Sequence, residues 1–162
     1  MIVSSCTNEP QPASTKGKPG NIGDSIISYN KAITKTEDQD IDDFISRYHW
    51  KMMKTGTGLR YMIYKHGTGP KAESGKTAVL KFEVRLLTGD LIYNSATEGL
   101  KEFVIGHGGV ESGLEEGILL LKTGDRAKFI VPSHLAFGLL GDLKKIPQQA
   151  TLVYDIEFIR QK

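Results

Sequence analysis

The sequence predicts an α+β fold in which a short helix packs against one sheet. Apolar residues recur at helical spacing before residue 50 and again after Ser112, whereas most segments after Gly58 alternate as half-buried strands do. The 162 residues, 39% of them hydrophobic, are enough for one core of ordinary size. We therefore expect one globular domain with an N-terminal appendage.

Residues 1–23 are predicted to form a flexible tether. Three prolines and three glycines fall between Glu9 and Gly23, and the few apolar residues offer little surface to offset the cost of ordering. The chain's only cysteine, Cys6, follows Val3-Ser4-Ser5 and resembles the lipid-attachment box of bacterial lipoproteins. Only five residues precede it, so a signal peptide would require a start upstream of Met1. The expected outcome is a lipid anchor at Cys6; the alternative is an unmodified thiol.

Residues 24–56 are predicted to form a helical extension. The apolar residues at helical spacing are Ile26, Ile27, Ile33, Ile41, Phe44, Ile45 and Tyr48. Thr36 with Gln39 would make a capping box, which leaves open whether the extension holds one helix or two. We expect the following Trp50, Met52 and Met53 to pack against the main domain.

Five carboxylates in this extension resemble a metal cluster at first sight: Glu37, Asp38, Asp40, Asp42 and Asp43. The interpretation that we favour is a solvated face near the start of a helix, where the macrodipole stabilises negative charge.

The main domain is predicted to contain strands at residues 59–64, 77–87, 127–131 and 151–158. Ser112 with Glu115 would cap a short helix that ends near Gly124, with Leu114, Ile118 and Leu121 on its apolar stripe. Residues 106–109, which are rich in glycine, are interpreted as a turn that enters this helix.

Several function classes are disfavoured by composition. The formal charge is +2 and no basic run is present, so nucleic acid is not an expected partner. No apolar run approaches the length of about 20 residues that spans a bilayer. The four histidines share no metal-ligand spacing, and there is neither a G-x-S-x-G elbow nor a Gly-Lys-Ser/Thr phosphate loop.

The C-terminal half carries a series of spaced motifs: Phe103-Val104-Ile105-Gly106, Gly113-Leu114-Glu115-Glu116-Gly117, Gly124-Asp125, Ala136-Phe137-Gly138, Ile146-Pro147 and Ala150-Thr151-Leu152-Val153-Tyr154. Their order and spacing resemble the FKBP-type peptidyl-prolyl cis-trans isomerases over roughly residues 59–160. The resemblance implies a curled antiparallel sheet, or half-barrel, wrapped on a short helix, with an isomerase domain at residues 57–162. It also implies proline-containing polypeptides as substrates and a reaction that needs no metal, cofactor or nucleophile.

The resemblance further implies a substrate pocket, built from Phe82, Tyr93, Asn94, Phe103, Val110, Glu111, Leu114, Phe137, Ile146 and Tyr154. For the apolar members the alternative is a role in core packing alone.

Six pocket positions depart from the family's usual residues. Leu114 replaces a common tryptophan; Phe82 and Phe137 replace tyrosines; Asn94 replaces an aspartate; Lys101 replaces an aromatic residue. Glu111 stands where an apolar residue offers its backbone N–H to the substrate carbonyl. These changes predict weak catalysis and poor binding of the family's macrocyclic inhibitors.

The function predicted from the sequence is a peptidyl-prolyl isomerase that is lipid-anchored at a bacterial cell envelope, in the periplasm or at the outer membrane, and assists the folding of exported chains. It resembles the envelope lipoprotein branch associated with gliding motility. The alternative is a binding module, an FKBP-fold assembly factor or holdase with little turnover. Asn94 and Phe137 favour the binding module, and the intact I-P and G-x-E-E-G motifs favour the enzyme. The oligomeric state stays open.

Overall fold

The computed structural model describes residues 22–162, so the prediction on Cys6 and that on the tether up to residue 21 lie outside the described residues; Ile22 and Gly23, the last two residues of the predicted tether, belong to a helix. Seven strands form one antiparallel sheet: β1 (Met53–Lys54), β2 (Arg60–Lys65), β3 (Thr77–Leu86), β4 (Leu91–Asn94), β5 (Lys101–Val104), β6 (Arg126–Val131) and β7 (Leu152–Gln161). The helices are α1 (Ile22–Arg47), α2 (Ser95–Glu98) and α3 (Ser112–Ile118), with a 3₁₀ turn at Ser133–Leu135. Within residues 22–162, no helix combines the length and the apolar character needed to cross a bilayer.

The sheet curls around its two long central strands, β3 and β7. The strand order is β1-β2-β6-β7-β3-β4, and β5 pairs with the first half of β3, at residues 77–80. The other end of β3, at residues 83–85, pairs with β4. β4 and β5 thus pair with opposite ends of one edge of β3, and the sheet curls into an open half-barrel. The predicted α+β fold is confirmed.

Helix α3 fills the inner face of this curl. Leu114 and Ile118 on the helix, and Leu121 three residues after its end, are fully buried. Two glycines allow the close approach: a Cβ added at Gly113 would lie 2.4 Å from Val131 Cγ1, and one at Gly117 would lie 2.5 Å from Phe129 Cε2. The glycines of the G-x-E-E-G motif are therefore required by the packing of helix on sheet.

The start of α3 differs from the prediction. The N-cap residue is Glu111, whose side chain makes no capping hydrogen bond. Because the helix begins at Ser112 itself, this hydroxyl donates instead to the Leu135 carbonyl, and Glu115 accepts the Gly108 N–H at 2.9 Å. The capping-box prediction is wrong, and α3 ends at Ile118 rather than near Gly124. The turn interpretation for residues 106–109 agrees with the structure.

Helix α1 is one continuous helix, so the option of two helices is wrong. No proline or glycine interrupts it between Asp24 and Arg47, and Thr36 lies inside it rather than at a cap. The compact unit that contains the sheet begins within this helix, at Lys35, and continues to Lys162. The domain boundary between residues 56 and 57 stays a prediction.

The last turns of α1 pack on the outer face of the sheet. Ile41 and Phe44 are buried against Ile130 and Val153. Phe129 and Tyr154 are adjacent in sequence to Ile130 and Val153 but belong to the inner core. Successive residues of a strand point to opposite faces of the sheet. Trp50 and Met52 join the outer cluster as predicted. Met53 does not: it lies on the edge strand β1 and its side chain is 57% exposed.

The five carboxylates that resemble a metal cluster lie in the second half of α1, so the macrodipole explanation is wrong for them. The Glu37 carboxylate accepts hydrogen bonds from the Ser133 N–H and hydroxyl and from the Thr151 hydroxyl. Asp38 and Asp42 accept from the guanidinium of Arg60, whose side chain is 2% exposed. These three carboxylates therefore fasten α1 to the sheet, while Asp40 and Asp43 face solvent.

Candidate functional site

A cavity of about 320 Å³ opens on the inner side of the curled sheet. Strands β3, β4 and β7, the start of α3, and the loop between β6 and β7 all contribute to it. Its lining consists of Phe82, Val84, Tyr93, Glu98, Gly99, Leu100, Lys101, Glu111, Phe137, Ile146 and Tyr154.

The inner wall of the cavity is apolar and rigid. Phe82 lies on β3 and Tyr154 on β7, and the pleat of the two paired strands turns both side chains inward. Tyr154, Ile146 and Phe82 are 1%, 5% and 9% exposed, respectively. Phe137, also in the lining, is half-buried. The wall is therefore positioned to hold a small apolar ring.

Some of the residues predicted from the sequence lie outside the lining. Phe103 and Leu114 are buried in the core, at 7% and 0% exposure, and Val110 packs against that core from the turn before α3. Asn94 caps α2: its side-chain oxygen accepts the N–H groups of Ala96 and Thr97 at 2.8 and 3.0 Å. The structure brings together Phe82, Tyr93, Glu111, Phe137, Ile146 and Tyr154.

Asp142 organises the loop between β6 and β7, and sequence reasoning missed it. One carboxylate oxygen accepts the N–H groups of Lys144, Lys145 and Ile146 at 2.9, 2.9 and 2.7 Å, and the other accepts the Tyr93 hydroxyl. Asp142 thereby fixes Ile146 and Tyr93 in the cavity wall. The signal was the Gly141-Asp142 pair, since aspartate side chains commonly bind the backbone of a following turn.

The protonation of this pair reflects its contacts. Burial acts to raise the pKa of Asp142, but the hydrogen bonds from Tyr93 and the three backbone N–H groups hold that pKa at about 2. The same hydrogen bond, with partial burial, raises the pKa of Tyr93 to about 12. Both groups thus keep one charge state, carboxylate and neutral phenol, across the physiological range.

We expect Asp142 to contribute to acid stability. Its pKa in the folded state is about 2, against an ordinary value of 3.8. This contribution is therefore present above pH 3.8 and is lost as pH falls toward about 2. Between pH 4 and pH 2, urea denaturation should show a steeper loss of unfolding free energy for the wild type than for Asp142→Asn. Asp90→Asn, in the exposed hairpin between β3 and β4, should follow the wild type; equal slopes for all three proteins would contradict the prediction.

A second polar group lies at the start of α3. The Tyr154 hydroxyl donates to Oε1 of Glu111 at 2.8 Å, and the Lys101 ammonium lies 3.5 Å from Oε2. Burial and the neighbouring carboxylate raise the pKa of Tyr154 well above its ordinary value. Lys101 also lies 5.7 Å from the centroid of the Phe82 ring. Within residues 22–162, the Glu111 N–H donates to no acceptor.

The cavity therefore combines an apolar wall, one backbone donor and neutral phenols. It offers shape and desolvation rather than a nucleophile paired with a base.

The region of the chain that forms the cavity is similar to known proteins. The family model of FKBP-type peptidyl-prolyl cis-trans isomerases matches residues 69–159. A probable FKBP-type peptidyl-prolyl cis-trans isomerase, FkpA of Neisseria meningitidis serogroup B, is 31% identical over 137 residues, or 83% of this chain and 50% of the relative. FkpA of Escherichia coli strain K12 is 34% identical over 113 residues, or 69% of this chain and 41% of the relative.

A solved structure agrees with the sequence comparisons. The crystal structure of AtFKBP13 superposes with a TM-score of 0.67 at 28% identity, covering 70% of this chain and 100% of that one. The chain spans about half the length of the curated relatives that it matches.

Proposed function

Because the chain belongs to the family of FKBP-type peptidyl-prolyl cis-trans isomerases, we propose that it catalyses rotation about the peptide bond that precedes proline in polypeptides. The observation that carries this proposal is the apolar cavity bounded by Phe82, Phe137, Ile146 and Tyr154. These side chains would hold the proline ring, and the Glu111 N–H would bind the carbonyl of the preceding residue.

Rotation of this bond needs little chemistry from the protein. The barrier is about 18–20 kcal/mol because rotation breaks amide resonance. An acceleration of three factors of ten requires about 4 kcal/mol. The twisted amide has lost much of its resonance dipole, so an apolar site disfavours it less than the planar ground state. The Tyr154 and Ile146 side chains, almost free of water, provide this environment.

The biological setting that we propose is the bacterial cell envelope. The chain would be tethered by residues 1–23 through a lipidated Cys6, with residues 24–56 as a helical extension and residues 57–162 as the isomerase domain. Exported, incompletely folded chains would be its substrates, as in the lipoprotein branch associated with gliding motility. The bacterial origin of the two FkpA relatives supports the bacterial part of this setting. The intact mass of the native protein tests the anchor, because it shows whether Cys6 carries a diacylglyceryl group.

A specific observation favours weak turnover, or binding alone. Phe137 presents no hydroxyl to a ligand carbonyl, and the Tyr154 hydroxyl is occupied by Glu111. The cavity thus lacks one donor, which corresponds to about 0.5–1.5 kcal/mol for a typical hydrogen bond. An FKBP-fold binding module or holdase is the second candidate.

The deciding experiment measures cis-to-trans exchange in X-Pro peptides by exchange NMR with the full chain. We expect acceleration that falls about tenfold in Phe137→Ala and rises about threefold in Phe137→Tyr, which restores a hydroxyl donor. Leu91→Ala removes an exposed apolar side chain from β4, outside the cavity lining, and should not change the rate. No acceleration with retained peptide binding would identify the binding module.

A further inference from the structure

We propose that Glu111 makes the pocket select polypeptides with a lysine or an arginine directly beside the proline. This inference rests on the proposed isomerase function and names the substrate class of that site. Its basis is an unusual group for an apolar pocket, a buried carboxylate that is only partly satisfied.

The Glu111 side chain is 6% exposed and lines the cavity. Its Oε1 accepts the Tyr154 hydroxyl at 2.8 Å, but its Oε2 is buried and has no hydrogen-bond donor among the described residues. Buried carboxylates normally receive such donors, because the loss of water is otherwise uncompensated. The oxygen is therefore suited to accept a hydrogen bond from a bound ligand.

Lys101 forms an ion pair with this oxygen but donates no hydrogen bond to it. Its ammonium lies 3.5 Å from Oε2, outside hydrogen-bond geometry, and 5.7 Å from the centroid of the Phe82 ring. The Lys101 side chain is 28% exposed and reaches the site from β5 on a flexible stem. It can swing outward and be replaced by another cation. In the free protein, Lys101 thus occupies the position that a basic substrate side chain would take.

The other charges at the cavity support this choice of ligand. Glu98 is a second carboxylate in the lining, so acidic groups outnumber the single ammonium of Lys101. A further cation, Lys145, lies 4.9 Å from the centroid of the Tyr93 ring and donates to the Ile92 carbonyl rather than to Glu111. An acidic residue beside the proline would meet two carboxylates. A basic residue would complete the hydrogen bonding of one of them.

Fold stability explains an acceptor here, because the buried Tyr154 hydroxyl donates to Oε1, but it does not explain a charged one. A buried ion pair without good hydrogen bonds contributes little, and apolar residues of similar volume commonly replace such pairs without loss. The position borders the apolar inner wall of the cavity, next to Tyr154. Recognition of a cation accounts for the carboxylate, whereas packing does not.

The test compares paired peptides in which lysine or norleucine stands beside proline, because norleucine keeps the aliphatic stem and removes the charge. With the full chain, kcat/KM should be about tenfold higher for the lysine peptide, as a charge-assisted hydrogen bond provides. In Glu111→Gln, which keeps an acceptor for Tyr154, the two peptides should agree within about twofold. Lys101→Met should raise the preference, because it removes the internal competitor.

The matched control is Glu102→Gln. Glu102 follows Lys101 on β5, is exposed and forms an ion pair with Lys162. Glu102→Gln therefore changes the net charge as Glu111→Gln does, but outside the cavity lining. It should keep the wild-type preference. Equal rates for both peptides in the wild type, or a preference that survives Glu111→Gln, would overturn the inference.

Failure of the proposed function gives a different result. If neither peptide is accelerated, the isomerase proposal fails, and peptide binding followed by NMR titration then tests the charge preference by itself. Tighter binding of the lysine peptide that is lost in Glu111→Gln would support the inference, and equal affinities would overturn it.

Discussion

Replacing Glu37 by alanine is expected to lower the free energy of unfolding by about 3 kcal/mol, a large fraction of the stability of a typical domain. The Glu37 carboxylate accepts from the Ser133 N–H at 2.6 Å, the Ser133 hydroxyl at 3.0 Å and the Thr151 hydroxyl at 2.5 Å. Ser133 and Thr151 are 7% and 6% exposed, so water does not readily replace the lost acceptor. Each buried donor left unpaired costs about 1–3 kcal/mol.

The same change is expected to impair the site. Ser133 and Thr151 stand at the two ends of the loop that carries Phe137 and Ile146 into the cavity. Glu37 therefore joins both ends of that loop to α1. When this link is removed, the two pocket residues lose part of their fixed position, and we expect the rate of X-Pro exchange to fall together with the urea midpoint.

Two variants control this prediction. Glu37→Gln keeps an oxygen acceptor and should lose less than half as much stability. Asp40→Ala removes a carboxylate from the exposed side of the same helix and should change the unfolding free energy by no more than about 0.5 kcal/mol. If Asp40→Ala and Glu37→Ala were equally destabilising, helix propensity or net charge would be the cause. The hydrogen bonds from Ser133 and Thr151 to Glu37 would then be excluded as the source of the stability.

The sequence predicts best those parts of the fold that depend on the local spacing of apolar residues. The buried positions of Leu114 and Ile118 on α3 and the alternation along β3 depend only on which face meets the core. The role of Glu37 was missed because its partners Ser133 and Thr151 lie 96 and 114 residues further along the chain. A cluster of carboxylates looks the same in sequence whether water or buried donors surround it.

The candidate site likewise has some features that the sequence predicts and others that it does not. The family resemblance predicted Phe82, Phe137, Ile146 and Tyr154 as pocket residues, and all four line one cavity. Motif matching could not tell that Asn94 would turn toward the backbone of α2, since an asparagine caps a helix as readily as it lines a pocket. The contact between Glu111 and Tyr154 depends on side-chain direction at the start of α3, which no sequence pattern encodes.

Gly117→Ala is expected to destabilise the protein by about 2 kcal/mol, although alanine is the better helix former. The added methyl would lie 2.5 Å from Cε2 of Phe129, a distance that real Cβ atoms essentially never show. Phe129 is fully buried on β6 and has no room to withdraw. Overpacking of this kind costs about 1–3 kcal/mol or more, and the gain in helix propensity returns at most about 1 kcal/mol. The clash therefore outweighs the gain, and urea denaturation should show a lower midpoint.

A second substitution separates the clash from any other effect of the methyl group. Phe129→Leu removes the ring atoms that meet the new Cβ, so the double variant should be less destabilised than the sum of the two single variants. Gly56→Ala adds a methyl group with no atom within 4 Å and should leave stability nearly unchanged. Strict additivity at positions 117 and 129 would mean that α3 moves away from β6. Since Glu111 precedes this helix, such a movement would instead appear as altered peptide selectivity.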